Sequence, residues 1–308
     1  MLVIVGFYHM LGYLDLQLGS QARILAESAT AAALGAFTFL SAFFLSRKEI
    51  VNAGDICAFY KRRFLRIYPL FLLSSLSLYL VSVIWGGYFE SLAQLLLTLT
   101  GLVCLFSPTP LTVWYVSMLL FFYMLTPIVL LLKNRKSQKW MGAVLVSAVL
   151  IVILILDAVG VLRVDNRFLA LYLIYFCTLL FYDRISLTRR QTVAAGVAAL
   201  IITAGSCIPY VNQIVLRWFP LRAILAAAGT VLLIWAGKQL DRIAPVSRLL
   251  QWISYASMTA YLFHRQFFGL AEKLFGKFSV PLALLLLIAL LVLAWVTQRL
   301  YDMLIRKR

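Results

Sequence analysis

The sequence predicts an all-α fold, a polytopic transmembrane bundle of about ten helices with one re-entrant or interfacial segment. Three observations carry that expectation. Of 308 residues, 64% are hydrophobic and only 13% charged, well away from the roughly half-apolar, quarter-charged makeup of a soluble domain. Apolar runs approaching the ~20 residues needed to cross a ~30 Å hydrocarbon core recur along the whole chain with short interruptions. Lysine and arginine gather in those interruptions, as they do where a chain is threaded back and forth through a bilayer.

The formal net charge of +17 does not point to nucleic acid, because the cations form no continuous basic face. Four cysteines (Cys57, Cys104, Cys177 and Cys207) stand far apart with no CxxC pair, and there are only two histidines. Neither a metal site nor a disulfide framework follows, and the cysteines are expected to be packing residues. Met1 opens directly into an apolar run without a charged leader region. Residues 1–308 are expected to form a single membrane domain with no appended soluble domain.

Basic residues near span ends stay on the cytoplasmic side. Five clusters mark that side: Arg47, Lys48, Lys61, Arg62, Arg63 and Arg66; Lys133, Arg135, Lys136 and Lys139; Arg184, Arg189 and Arg190; Lys238, Arg242 and Arg248; Arg306, Lys307 and Arg308. Spans then fall near 1–14, 31–46, 64–85, 114–132, 140–156, 168–182, 191–207, 220–237, 249–268 and 280–300, with both termini in the cytoplasm. A further apolar stretch, Leu92 to Phe106, would reverse this parity if it crossed. It is therefore expected to be re-entrant or to lie at the outer interface, followed by a surface turn at Ser107–Pro110. The outer segments carry mixed charge (Asp15, Arg23, Glu27, Glu90, Asp157, Arg163, Asp165, Arg167, Arg217, Glu272, Lys273 and Lys277), which suits a surface meeting a polar ligand.

Ionisable and polar groups inside spans are costly and so are functional candidates. His9, in VGFYHMLGYL, can take a proton from a hydroxyl and return it, or it can hydrogen-bond a neighbouring helix. In YKRRFLRIYPLF, Arg63 and Arg66 are three residues apart and are expected on one helical face. With Arg62 they can hold phosphates such as the pyrophosphate of coenzyme A, or snorkel as ordinary cytoplasmic anchors. Trp114 and Tyr123, in WYVSMLLFFYMLTP, read as an interfacial anchor and as a mid-span hydroxyl that needs a partner. Ser254, Ser257, Tyr261 and His264, in ISYASMTAYLFHRQFF, can line one side of a helix that ends in Arg265.

Five places in order resemble the acyltransferase-3 family of multispanning membrane acyltransferases. They are His9, FTFLSAFFLSRK (Phe37 to Lys48), KRRFLRIYP (Lys61 to Pro69), WYVSMLLFFYMLTP (Trp114 to Pro127) and SYASMTAYLFH (Ser254 to His264). Ala42 replaces the family's usual Gly, and Leu119, Leu120 and Phe121 stand where many members carry polar residues. Many members also have an Arg about ten residues before the first-helix His, a position this sequence does not reach.

The resemblance implies an integral protein of the bacterial cytoplasmic (inner) membrane. It also implies an acyl-CoA donor, acetyl-CoA or another, bound from the cytoplasm as substrate, with no permanently bound cofactor and no metal. The acceptor would be an extracytoplasmic carbohydrate or glycolipid hydroxyl. His9 is implied as the catalytic residue and Arg62, Arg63 and Arg66 as donor ligands. Trp114, Tyr123, Ser254, Tyr261 and His264 would support the acceptor. Larger relatives append a hydrolase-like domain, so a separate extracytoplasmic transferase partner is a further expectation. The reading from a different class is a translocator of envelope glycans or lipid-linked sugars, whose polar stripe lines a conduit and in which no bond is made.

Overall fold

Each of the ten expected spans coincides with a helix. The computed structural model describes residues 2–14, 19–86, 89, 91–106, 109, 113–134, 139–182, 188–208 and 218–306. Among these, eleven α-helices follow in order: α1 (Leu2–Leu11), α2 (Ser20–Ser46), α3 (Ala53–Trp85), α4 (Leu92–Leu99), α5 (Val113–Asn134), α6 (Lys139–Ala158), α7 (Asn166–Phe181), α8 (Arg189–Ser206), α9 (Phe219–Leu240), α10 (Ala244–Phe275) and α11 (Val280–Arg306). Extended pairing among the described residues is confined to two isolated bridges, Leu14 with Phe278 and Phe106 with Arg163. The Ser107–Pro110 turn falls largely outside the described residues, as do Asp15, Glu90, Arg135, Lys136, Arg184, Arg217, Lys307 and Arg308.

Six helices are long and apolar enough to cross a bilayer: α2, α3, α5, most of α6, α9 and most of α11. The remaining expected spans fall short for physical reasons. α1 has 10 residues and α7 has 16, while α8 and α10 are long but diluted by Arg, Gln, Ser, Thr and His. α11 turns Leu284, Leu285, Ile288 and Leu293 outward, an arrangement that is stable only where the surroundings are apolar. The protein is a multi-pass membrane protein. The stretch Leu92 to Phe106 forms α4, of 8 residues, followed by a single 3-10 turn at Val103–Leu105. Eight residues rise about 12 Å, less than half a hydrocarbon core, so this stretch adds no helical crossing.

The chain divides into two compact units. The first comprises Met1–Ala36, Leu187–Ile214 and Ile224–Arg308, and the second Phe37–Ser186 with Val215–Ala223. In the first, α10 and α11 form a hairpin turned at Gly276, whose φ of 75° favours glycine. The loop of this hairpin clasps the end of α1. Phe278 N–H donates to the Tyr13 carbonyl at 2.9 Å and Lys277 Nζ to the Gly12 carbonyl at 3.2 Å. Beneath the clasp, Met10, Tyr13 and Leu14 pack with Phe268, Ala271, Phe278, Ala283 and Leu286. That packing fixes α1 against α10.

In the second unit a cluster of rings fills the space between α5 and α7. Phe122 contacts Phe168, Tyr172, Tyr175 and Phe176 at centroid separations of 4.9–5.7 Å. Hydroxyls within it are matched, Tyr175 with Thr126 at 2.7 Å and Tyr172 with the Val146 carbonyl at 2.8 Å. α3 starts on a capping box in which the Asn52 side chain takes the Asp55 N–H and the Asp55 carboxylate takes the Asn52 N–H. Of the four cysteines expected to pack, only Cys104 is buried; Cys57 and Cys177 lie on the surface, because their helices turn those positions away from the core.

Within the first unit, small residues let α2 and α9 approach closely, the usual means of helix association in lipid. A Cβ added at Gly229 would collide with Ala32, and one at Gly35 would sit 2.8 Å from the Ala226 carbonyl. Gly237, on the same helix as Gly229, has nothing within 4 Å of that position. Gly229→Ala is expected to destabilise the protein by about 1–3 kcal/mol through overpacking, and Gly237→Ala to leave it unchanged or slightly more stable. Thermal unfolding of the two variants in detergent checks this.

Candidate active site

The clasp on α1 has a chemical consequence one turn away. It holds the two histidines of the chain, from opposite ends of the sequence, with their rings stacked at 4.9 Å and 24°. His264 is buried, 1% exposed, and His9 is half-buried. An Arg265 Nη2–H donates to His9 Nδ1 at 2.7 Å. Guanidinium nitrogens only donate, so His9 Nδ1 carries the lone pair and its proton is on Nε2. His264 is the reverse. Its Nδ1–H donates to the Tyr261 carbonyl at 2.7 Å, a carbonyl only accepts, and so the lone pair is on Nε2. That Nε2 is buried without a hydrogen-bond partner among the described residues, and so is the Arg265 Nε–H.

Two neighbouring features of α10 set this geometry. The buried stripe Ala256, Ala260, His264, Phe268 and Ala271 repeats at three- and four-residue spacing and carries His264 inward. Toward its other end α10 is tied to α11 by polar contacts, with Thr259 donating to Gln298 at 2.6 Å and Tyr255 to Asp302 at 2.7 Å. Gln298 donates to the same carboxylate at 2.9 Å. Sequence reasoning missed Gln298 and Asp302, although polar residues near the end of an apolar run are the signal that finds them. It also treated Arg265 as a boundary residue.

Of the expected stripe on α10, Tyr261 and His264 are buried but Ser254 is exposed. Ser254 lies about 80° round the helix from His264, off the face that meets α1 and α11. Its expected part in acceptor binding therefore has no support from this arrangement. Tyr261 contributes its carbonyl, and its ring lies 5.7 Å from that of His264.

In the second unit the arginines differ in exposure. The buried stripe of α3 runs through Phe59, Ile67, Leu70, Ser74 and Leu78, and half-buried Arg63 lies in line with it, four residues from both Phe59 and Ile67. Its guanidinium lies over the Tyr123 ring at 5.2 Å and near Phe59 at 5.9 Å. Arg62 and Arg66 are exposed. Arg66 lies about 60° round the helix from Arg63 and about 40° from Arg62, so the three remain neighbours, with Arg63 half-buried and the other two exposed. Tyr123 is buried and its hydroxyl meets Ser41 at 2.7 Å, the partner a mid-span phenol requires. Lys48 sits in the same positive field. Burial, then Arg63, Arg62 and Arg66, lower its pKa below the ordinary ammonium value. The Arg167–Asp165, Arg222–Asp165 and Lys277–Glu272 ion pairs lie elsewhere, and among the described residues these cations make no salt bridge to a carboxylate.

Trp114 is buried, with the Arg167 guanidinium 4.6 Å over its ring. Arg167 also chelates Asp165, the N-cap of α7, through Nε at 2.8 Å, and Arg222 lies 3.9 Å from the same carboxylate. Among the described residues no group of three or more His, Cys, Asp or Glu side chains is placed to hold a metal ion.

A family described as an acyltransferase domain, the acyltransferase-3 family, matches residues 1–299. No curated protein and no solved structure matches the chain.

The Asp165 cap gives a pH-dependent expectation. Burial alone would raise its pKa, but hydrogen bonds and charge from Arg167, with charge from Arg222, hold it below the ordinary carboxylate value. A lowered folded-state pKa contributes stability above the unfolded value of about 4 and loses it as pH falls through the folded value. At neutral pH Asp165→Asn is expected to be less stable than the parent. The gap should narrow below about pH 4, as thermal unfolding across a pH series in detergent will read.

Proposed function

Because the chain belongs to the acyltransferase-3 family, we propose that it is an O-acyltransferase moving an acetyl or similar small acyl group from cytoplasmic acyl-CoA to a hydroxyl of a cell-envelope carbohydrate or glycolipid. The observation that carries this reading is the cluster of buried His264 with half-buried His9 and Arg265, which places proton-accepting and proton-donating nitrogens together. Transfer of an acyl group to an alcohol needs both kinds of nitrogen, one to take the hydroxyl proton and one to meet the charge that develops on the carbonyl oxygen.

The donor is assigned to the cation cluster of Arg62, Arg63, Arg66 and Lys48. Guanidinium groups bind phosphates in a bidentate manner, and a group of cations that makes no salt bridge to a carboxylate among the described residues suits the pyrophosphate of coenzyme A. Arg63, braced on Tyr123, is the member whose position is fixed, and Arg62 and Arg66 extend the field toward solvent. We assign the cluster to the cytoplasmic side, where acyl-CoA is made, with both termini there as well and α4 re-entrant or at the outer interface. Trp114 and the charged groups about it then belong to the outer, acceptor-facing end. An extracytoplasmic partner that completes delivery is compatible with this division.

The test uses membranes containing the protein, labelled acetyl-CoA and the envelope glycan fraction of the encoding organism. The parent is expected to transfer label. His9→Ala should lower transfer by about a hundredfold or more. Arg63→Ala should raise the KM for acetyl-CoA with a smaller change in kcat, as expected on losing a ground-state phosphate contact. Failure of the parent to move label would favour the translocator. Equal transfer by His9→Ala would remove the imidazole from the mechanism.

A further inference from the structure

Resting on that reading, we infer that His264, rather than His9, is the group that takes the proton from the acceptor hydroxyl, and that Arg265 Nε–H meets the oxygen that becomes negative. The argument is one of lone pairs. A general base needs an unshared pair on nitrogen. His9 Nδ1 has given its pair to Arg265 Nη2, and His9 Nε2 holds the ring proton. His264 has its proton on Nδ1, tied to the Tyr261 carbonyl at 2.7 Å, and its pair on a buried Nε2 that no described residue satisfies. A backbone carbonyl on one ring nitrogen fixes the tautomer and aims the other nitrogen, the arrangement a catalytic base requires.

The unmet donor beside it is of the opposite kind. Buried polar atoms without partners are costly, about 1–3 kcal/mol each, and rare in native interiors. Here an acceptor and a donor of this sort occur on the adjacent residues His264 and Arg265. An alcohol approaching a thioester presents the complementary pair, a hydroxyl proton and a carbonyl oxygen. The hydroxyl proton passes to His264 Nε2 as the oxygen bonds to the thioester carbonyl carbon, and the oxyanion of the tetrahedral intermediate accepts from Arg265 Nε–H. Collapse breaks the C–S bond, and the departing sulfur takes the proton back from His264. The products are one ester and one free coenzyme A thiol, with no net change in the protein. His9 remains in the site as the acceptor that holds Arg265 in place.

The test is His264→Asn, assayed with acetyl-CoA and the envelope glycan fraction. The asparagine amide reproduces the Nδ1–H donor to the Tyr261 carbonyl but has no counterpart of the Nε2 lone pair. If His264 is only a packing residue, this variant should keep its turnover. If His264 is the base, kcat should fall by about 10²–10⁴-fold, with the KM for acetyl-CoA within a few-fold of the parent. Should the asparagine variant not fold, His264→Gly with added free imidazole replaces it. Restored turnover supports the assignment and absence of rescue opposes it. A parent that transfers no acetyl group removes the acyltransferase reading together with this one. A transferring parent matched within threefold by His264→Asn overturns the assignment of the base alone.

Discussion

The hydrogen bond from Arg265 to His9 is the constraint on which the chemistry proposed for this chain depends. It joins residues 256 positions apart, and because a guanidinium can only donate, it decides which nitrogen of His9 holds the proton. The stacked ring of His264 then has the opposite tautomer, decided by a backbone carbonyl. Two imidazoles of identical composition are made chemically different by their neighbours. Neither difference needs an ionised carboxylate, which would be costly so deep among apolar helices.

Such a contact survives only if α1 and α10 cannot slide. Lipid offers no hydrophobic drive between helices, so their registration comes from packing and from the backbone groups at their ends. The loop between α10 and α11 supplies those ends, with Phe278 and Lys277 bonded to the carbonyls that α1 leaves open at Tyr13 and Gly12. Below it the Thr259–Gln298 and Tyr255–Asp302 bonds hold the hairpin together. In the second unit Arg63 illustrates the same logic in reverse. A cation able to snorkel lies instead against the faces of Tyr123 and Phe59, and the Tyr123 hydroxyl meets Ser41.

The six helices able to cross a bilayer were legible in the sequence as long apolar runs, whereas α1 and α7 are too short and α8 and α10 too polar for that measure. His9 and His264 were legible as costly residues, but their contact was not, since no periodicity links the first helix with the tenth. Arg66 looked deeper than Arg63 in linear distance from the loop. The structure places Arg63 inward because the register of the buried stripe, fixed by Phe59, Ile67 and Leu70, passes through position 63 and not 66. Ser254 is exposed for a related reason. A stripe of small polar residues does not show which edge of a helix its neighbours cover, and the alanines at 256 and 260 mark the covered side more faithfully. Arg265 was taken for a span-end cation because its partner lies at the other end of the chain.

With only two histidines in the chain, one spectrum reads the central claim. Side-chain ¹⁵N resonances of histidine-labelled protein in lipid bilayers, assigned by the loss of one ring in His9→Gln, distinguish protonation at Nδ1 from protonation at Nε2. The structure requires opposite tautomers, Nε2–H for His9 and Nδ1–H for His264. If both rings carry their proton on the same nitrogen, the Arg265 contact is not as described and the division of roles between the two imidazoles fails.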